Sequence, residues 1–512
     1  MKRDGANTSL WQMKVEDFQP AGNQMSNNQF DIIIAGGGVT GIATALQLQK
    51  SGKKCIVLEA RTLCFGTTGG TTAHLNSFLD KSYDQIKSSF GEDAIHLVAN
   101  ATARSLDLYY SNIEEYNIDC GYEQKDGYLY SKDAKQTEEL DKIFEASRQA
   151  GVDVAYTDRI PVDIEFEKAI VYRNQAQIHP TKYVFALAKA FENAGGVIIQ
   201  NCRVEHSVEA EDKVTVETSQ GVFQGSFLIY ATHIPPHINL LHFRCAPYRS
   251  YAIAVRLNGN YPNDLSYDMY DPYHYYRSQD VDGEKYFILG GEDHKTAHTV
   301  NAENCFRKLE AHAREHFDVR EVTHKWSSQY FEPADGLAYI GLLPGSEGNI
   351  LVATGYSGNG MTYSHIAAIL LTDLIHKKEN AWAALFNPNR VKPVAGFTNF
   401  VKENADVVAQ FINKRISSEK IEELAEMAPG EGKVVKYEGS KLAIYKDEAG
   451  KVYALNPVCT HAKCIVDWNN TEKSWDCPCH GARYDIDGKV LTGPAHKGLE
   501  VVMLSELAQK GS

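Results

Sequence analysis

Residues 30–61, FDIIIAGGGVTGIATALQLQKSGKKCIVLEAR, restrict the possible folds more than any other stretch of this chain. An apolar run, a cluster of glycines, a segment of helical spacing and a second apolar run read as strand, tight turn, helix and strand. Gly36, Gly38 and Gly41 satisfy G-x-G-x-x-G at the strand-to-helix turn. Glycines there permit the turn and let backbone N–H groups, with Val39 and Thr40 opening the helix, reach a pyrophosphate. Glu59 ends the second strand 18 residues past Gly41, with Ala60 and Arg61 beside it. An acid at that place accepts hydrogen bonds from ribose hydroxyls. A glycine motif alone is weak, and a glycine turn in some other α/β fold is the bland reading. Strand, helix and acid together favour a dinucleotide.

The rest of the chain bears on whether the dinucleotide is FAD or NAD. GTTGGTTAH (66–74) places a second small-residue loop, with Thr67 and Thr68, soon after Glu59. ATGYSGNGMT (353–362) places another glycine turn, with Gly355, Gly358, Gly360, Met361 and Thr362, ahead of a helix read over 363–375. A ligand touched by both ends of a long domain is large and deeply buried, as flavins are. The segments DIIIAGGGVTGIATALQLQKSGKKCIVLEAR, IHPTKYVFALAKA and GYSGNGMT resemble the D-amino-acid oxidase, glycine oxidase and sarcosine oxidase superfamily of FAD enzymes, over roughly residues 30–390. The resemblance implies an α/β, Rossmann-like FAD-binding domain of the glutathione-reductase type with an antiparallel-sheet substrate subdomain. It is specific for the cofactor and not for the substrate. In some relatives a histidine shortly after the first loop carries the flavin covalently. The matching position here is Gly70, so non-covalent FAD is expected, with His74 the nearby histidine.

At 512 residues the chain is long enough for two or more domains. Residues 1–29 read as a polar leader, 30–400 as the flavin domain, 401–428 as a charged helical linker and 429–512 as a small β-domain. APGEG at 428–432 is expected to separate two independent cores. Residues 245–340 alternate and are rich in tyrosine, the pattern of an antiparallel sheet. A net charge of −14 argues against a nucleic-acid partner. No apolar run is long enough to cross a bilayer. No apolar segment follows the basic residues at the N-terminus, and six cysteines are scattered singly, so a cytoplasmic protein is expected.

The other four of the ten cysteines sit in NPVCTHAKC (456–464) and WDCPCHGARYD (475–485), interleaved with two histidines. Ligands could be drawn from Cys459, His461, Cys464, Cys477, Cys479 and His480. A structural zinc site prefers C-x2–4-C knuckles; here the spacing is C-x-H and C-x-x-H, with one more cysteine behind each box. This resembles the Rieske iron–sulfur family, in the form with a supporting disulfide. The resemblance implies a [2Fe-2S] cluster held by Cys459, His461, Cys477 and His480, with Cys464 and Cys479 bonded to each other. Gly493-Pro494-Ala495 matches the loop that shields the cluster. Two departures stand out: the usual glycine before the first disulfide cysteine is Lys463, and a serine that donates to a bridging sulfide is Ala482. With Tyr484 kept as a donor, a potential in the middle of the roughly −150 to +300 mV span is expected.

Five tyrosines crowd residues 267–276, followed by Arg277. They read either as rings packing over the flavin domain or as an aromatic wall for a cationic amine. In the second reading Tyr273 and Tyr275 line the site, and Arg249 or Arg277 anchors a carboxylate. No catalytic base is assigned. His179, in IHPTKY, reads as a hinge residue. GGEDHKTAH (290–298) has the histidine spacing of a mononuclear iron site, but flavin and iron-oxygenase modules do not combine in this order. The whole reads as a two-cofactor dehydrogenase: a small amine or amino acid reduces FAD, the cluster relays electrons singly, and an external acceptor removes them. A chain whose cluster feeds or reports on the flavin is the alternative.

Overall fold

The structure, a computed structural model, describes residues 1, 3–22, 28–298, 301–390, 419–420 and 424–504. Its first sheet runs in the order Tyr339–Leu342, Ile350–Thr354, Gly221–Tyr230, Gln29–Ala35, Cys55–Leu58, Val197–Ile199. All neighbours after the first pair are parallel. Parallel strands are covered on both faces and so read as unbroken apolar runs; Cys55–Leu58 is buried at every residue. Side chains alternate across the sheet. Ile32, Ile34, Cys55 and Val57 face the helices Val39–Lys50, Glu92–Tyr116, Pro180–Asn193 and Gly360–Ile375. Ile33, Ala35, Ile56 and Leu58 face the hairpin residues Val214 and Val216.

The second sheet has nine strands, built on the long antiparallel pair Cys245–Leu257 and Val319–Pro333. The tyrosine-rich stretch forms a hairpin within it, Leu265–Asp268 against His274–Val281. Strands at Glu123–Ser131 and Lys168–Gln177 pair with each other in the same sheet.

Two four-stranded sheets make the C-terminal domain, the second of them Asp467–Asn469, Ser474–Asp476, Arg483–Tyr484, Val490–Thr492. Most of the expected helical linker lies outside the described residues. Its described end is a short strand, Glu419–Lys420, paired with Gly432–Tyr437, and a single 3-10 turn, Leu424–Glu426.

The two domains have separate apolar clusters, and a buried polar network joins them. Arg483 donates from Nε to Asp476 Oδ1 and from Nη1 to Asp4 Oδ2, both at 3.0 Å. Arg249 Nη2 lies 3.6 Å from Asp476 Oδ2. Ser327 donates its amide and hydroxyl to Glu472 Oε1 at 3.1 and 2.6 Å. Arg3 donates to the Ser327 carbonyl at 2.5 Å, and Asn7 to the Thr471 carbonyl at 3.0 Å. The N-terminal leader is thus mortar between the domains. Charges this deeply buried persist because each is paired.

Candidate functional site

A cavity of about 870 Å³ opens along the carboxyl ends of the parallel strands. Gly36, Gly38, Val39, Thr40, Glu59, Ala60 and Arg61 line one end, and Thr67 and Thr68 the second loop. Gly358, Gly360 and Met361 close it from the C-terminal glycine turn. Among the expected contacts, Gly41, Gly355 and Thr362 do not line it. Gly41 instead permits close packing, because a Cβ there would fall 1.9 Å from the Gly36 carbonyl oxygen. Thr362 donates to the Asn76 carbonyl at 2.9 Å.

Gly38 offers no side chain to the N-terminus of helix Val39–Lys50; Thr68 Oγ1 accepts from the Val39 amide at 3.1 Å, and the turn lines the cavity where an anion would sit. Glu59 accepts from the Gly37 amide at 2.6 Å and the Arg61 amide at 2.7 Å, which clamps the turn. Burial pushes its carboxyl up, opposed by those two amides. The residues fit a bound dinucleotide. Asp80, which the sequence reading missed, joins the cavity's two loops. Its Oδ2 accepts from the Gly358 amide at 2.6 Å, and its own amide donates to Asn359 Oδ1 at 2.7 Å.

Tyr273 and Tyr275 line the far end of the cavity with Tyr330, Ser250 and Asp293. The two expected arginine anchors are elsewhere. Arg277 is fully buried and donates to the carbonyls of Thr72, Ala73 and Ile178. Arg249 neighbours the cavity residue Ser250 but points the opposite way, to Ser327 and Asp476, as alternate strand residues do. His179 caps helix Pro180–Asn193, its Nδ1 accepting from the Lys182 amide at 3.3 Å.

The cysteine boxes form two loops with one hydrogen-bond pattern. The Cys459 amide donates to the Cys464 carbonyl and the Lys463 amide to the Cys459 carbonyl, at 2.8 and 3.0 Å. The Cys477 amide donates to the Ala482 carbonyl and the Gly481 amide to the Cys477 carbonyl, at the same distances. Lys463 and Gly481 occupy equivalent places, with φ of 64° and 72°. Lys463 therefore adopts the left-handed conformation that glycine favours.

Cys464 and Cys479 form a disulfide across the loops, with Cα atoms 6.5 Å apart. Cys459 and Cys477 remain buried thiols. The His461 and His480 rings lie 5.0 Å apart, and both nitrogens of His480 and Nε2 of His461 are buried without partners among the described residues. Burial lowers these histidines to about 4 and about 3, which keeps them in the neutral, ligating form. Tyr484 Oη is 3.1 Å from Cys459 Sγ. A hydrogen bond from Cys477, then Tyr484 and the amides of His461 and Ala462, hold the Cys459 thiol down near 6. Two thiols and two buried imidazoles, each with Nε2 unpartnered among the described residues, fit a cluster of mixed ligation.

The family model described as FAD dependent oxidoreductase (DAO) matches residues 31–374, two thirds of the chain. The chain belongs to this family. A second model, the Rieske [2Fe-2S] domain, matches residues 418–503. The protein YhfW of Bacillus subtilis (strain 168), whose name carries the Rieske 2Fe-2S assignment, is 32% identical over 93% of this chain and 94% of its own length. Gamma-glutamylputrescine oxidoreductase of Escherichia coli (strain K12) is 22% identical over 70% of this chain and 86% of its own. The fold also matches glycine oxidase from Geobacillus kaustophilus, with a TM-score of 0.60 at 19% identity, over 71% of this chain and all of that one.

This DAO-family oxidoreductase binds FAD in its first domain and a [2Fe-2S] cluster in its second. The two sites share a wall. Gly493, Pro494 and Ala495 of the Rieske domain line the flavin-domain cavity. Gln329 donates to the Gly481 carbonyl of the cluster loop at 2.9 Å, while its own carbonyl accepts from Thr67 Oγ1 at 3.0 Å. No helix among the described residues is long and apolar enough to cross a membrane.

Proposed function

We propose that this DAO-family protein is a dehydrogenase that oxidises a C–N bond of a small amine or amino acid and passes the electrons through its Rieske domain to an external acceptor. The single observation that carries this reading is the shared wall, in which the Gly493-Pro494-Ala495 loop closes the cavity built on Gly36 to Thr40. When bound, the flavin supplies a two-electron sink for a hydride from the carbon bearing nitrogen, and the cluster a one-electron outlet. The chain's own residues bind and orient. The helix N-terminus at Val39, with Thr68 on its first amide, holds the pyrophosphate, and Glu59 stiffens the turn that presents it. Cys459, His461, Cys477 and His480 hold the cluster, and Tyr484 donates toward Cys459.

The names of the relatives support the substrate class, since gamma-glutamylputrescine oxidoreductase and glycine oxidase both act on amino compounds. We infer that the flavin is held non-covalently, since Gly70 offers no nucleophile at the position that matches the covalent histidine. Six buried free thiols outside the cluster loops suit a reducing cytoplasm.

The test compares parent and Cys459→Ser proteins on two rates. In both, an amine should bleach the flavin anaerobically at similar speed. Steady-state reduction of a one-electron acceptor such as ferricyanide should fall at least tenfold in the variant. Equal steady-state rates would take the Rieske domain off the electron path, and an NADH-bleached, amine-inert flavin would reverse the direction of flow.

A further inference from the structure

One carboxylate in the cavity is held in place by backbone strain. Across the strands Cys245–Leu257 and Glu284–Lys295, Arg249 pairs with His294 and Tyr251 with Gly291. Ser250 alone therefore faces both Glu292 and Asp293, which is a β-bulge. Glu292 sits at φ 56°, a left-handed conformation that costs a non-glycine residue. Bulges re-aim side chains beside functional sites. Here Glu292 turns to Lys308 Nζ at 2.9 Å, and Asp293 turns into the cavity.

Asp293 Oδ2 accepts from Tyr330 Oη at 2.9 Å and from Tyr273 Oη at 3.3 Å. Oδ1 is buried and has no partner among the described residues. A buried carboxylate oxygen left without a donor is costly, and a cation is the partner that relieves it best. The surroundings suit one. The Tyr273 and Tyr275 rings stand 5.9 Å apart beside it, and ring faces attract ammonium groups.

An anion has no comparable partner there. The arginines lining the cavity are Arg61 and Arg203, both directed at the Val490 carbonyl, and the lysine is Lys81, which donates to the Asp335 carbonyl at 2.7 Å. Asp80, also in the lining, adds negative charge.

We propose that the cavity takes its substrate by the ammonium group, seated on Asp293 among Tyr273, Tyr275 and Tyr330, and that the substrate class is an alkylamine whose recognition uses no carboxylate. This rests on the reading of the chain as an amine-oxidising flavoprotein, and narrows it. The probes are tert-butylammonium, which has no hydrogen on the carbon bearing nitrogen and is not oxidised, and pivalate, which carries a carboxylate on the same tert-butyl group.

Titrated calorimetrically into the FAD-loaded parent, tert-butylammonium should bind at least tenfold more tightly than pivalate. Asp293→Asn should weaken the cation at least tenfold, and Asp293→Glu should keep the preference for cation over anion; the FAD content of each variant reports its folding. Pivalate binding more tightly than the cation, neither probe binding the parent, or unchanged cation affinity in a folded Asp293→Asn protein would each overturn the assignment. Binding is read without turnover, so the two readings fail separately. If alkylamines leave the flavin oxidised while tert-butylammonium still binds through Asp293, the proposed reaction falls and the ammonium site stands.

Discussion

Gln329 of the flavin domain donates from Nε2 to the carbonyl of Gly481, two residues past Cys479 in the cluster loop, at 2.9 Å. Its Oε1 accepts from Thr296 Oγ1 at 3.2 Å. The side chain is buried, and it belongs to the strand whose carbonyl receives Thr67 of the second flavin loop. One residue therefore fixes the distance between the two cofactor loops. A Cβ on Gly481 would meet Gln329 Nε2 at 2.7 Å and Pro247 Cβ at 2.9 Å, so a side chain there would displace Gln329 from its bond.

Gln329→Leu keeps the volume and removes the donor. An orphaned buried carbonyl costs about 1–3 kcal/mol. The expected result is a loss of that size in a denaturant midpoint, with FAD and iron content retained. Reoxidation of substrate-reduced flavin by the cluster should slow several-fold, while flavin reduction keeps its rate. An unchanged reoxidation rate would make Gln329 a structural residue only.

Arg483 predicts a sharper response. It is fully buried between Asp4 and Asp476, and burial alone would lower its pKa, but the two carboxylates hold it above the ordinary value. Arg483→Met strips two buried carboxylates of their main counter-charge, which costs about 3–5 kcal/mol. Deleting residues 1–12 removes Asp4 and Arg3 from the same network and should also loosen the domains. Limited proteolysis of either variant should release the C-terminal domain faster than in the parent. Parent-like proteolysis of both would mean the interface does not depend on the network.

At the dinucleotide end, Gly41→Val should abolish FAD retention, because its Cβ would fall 1.9 Å from the Gly36 carbonyl oxygen and force the turn open. Glu59→Gln should also weaken retention. Glu59 Oε2 accepts from Gly37 and Oε1 from Arg61, whereas glutamine has one acceptor oxygen and turns its NH2 toward the other amide, a loss of about 1–3 kcal/mol. Flavin absorbance per chain after gel filtration measures both, and stoichiometric FAD in the valine variant would mean the turn is misassigned.

Lys463 supplies a gain instead of a loss. A left-handed lysine costs about 1–2 kcal/mol relative to glycine, partly offset by the larger unfolded-state entropy of glycine. Lys463→Gly should therefore raise stability by roughly 0.5–1 kcal/mol and leave the iron content alone. Destabilisation of similar size would mean the lysine side chain supports the loop.

Much of this was legible because it is local. The turn at Gly36–Gly41 and the boxes at Cys459 and Cys477 carry their geometry within six residues of chain. The tyrosine pattern left packing and an aromatic wall both open, and the structure puts Tyr273 and Tyr275 in the cavity lining. Arg249 and Arg277 misled because a carboxylate anchor and a buried structural arginine look alike until their partners are known, and those partners lie at Asp476 and Thr72. Asp80 and Gln329 carried no local signal, since each works through a residue more than a hundred positions away. Asp293 was visible only within the GGEDHKTAH stretch, because the bulge that turns it inward depends on its pairing with Ser250's strand.

Asp293 also sets a pH dependence whose sign can be worked out. Burial pushes its carboxyl up from 3.8 to about 6, with Asp80 adding and the hydroxyls of Ser250, Tyr330 and Tyr273 opposing. The folded protein thus holds this proton more tightly than the unfolded chain. Between roughly pH 4 and 6 the native state binds more protons, so stability falls as pH rises, and the full cost, up to about 3 kcal/mol, applies above pH 6. Asp293→Asn removes that cost. The ligand-free variant should be more stable than the parent at pH 8, and the difference should vanish toward pH 4. Cation binding runs the other way, because only the ionised carboxylate attracts an ammonium. The affinity for tert-butylammonium should be flat above pH 7 and fall about tenfold per pH unit below 6. Denaturant midpoints of parent and variant at pH 4.5 and 8, beside titrations across the same range, read both trends on one residue. A variant less stable than the parent at pH 8 would identify Asp293 as a structural partner of Tyr273 and Tyr330. A gain in stability at pH 8 matched by a loss of cation affinity is the signature of a carboxylate kept charged for its ligand.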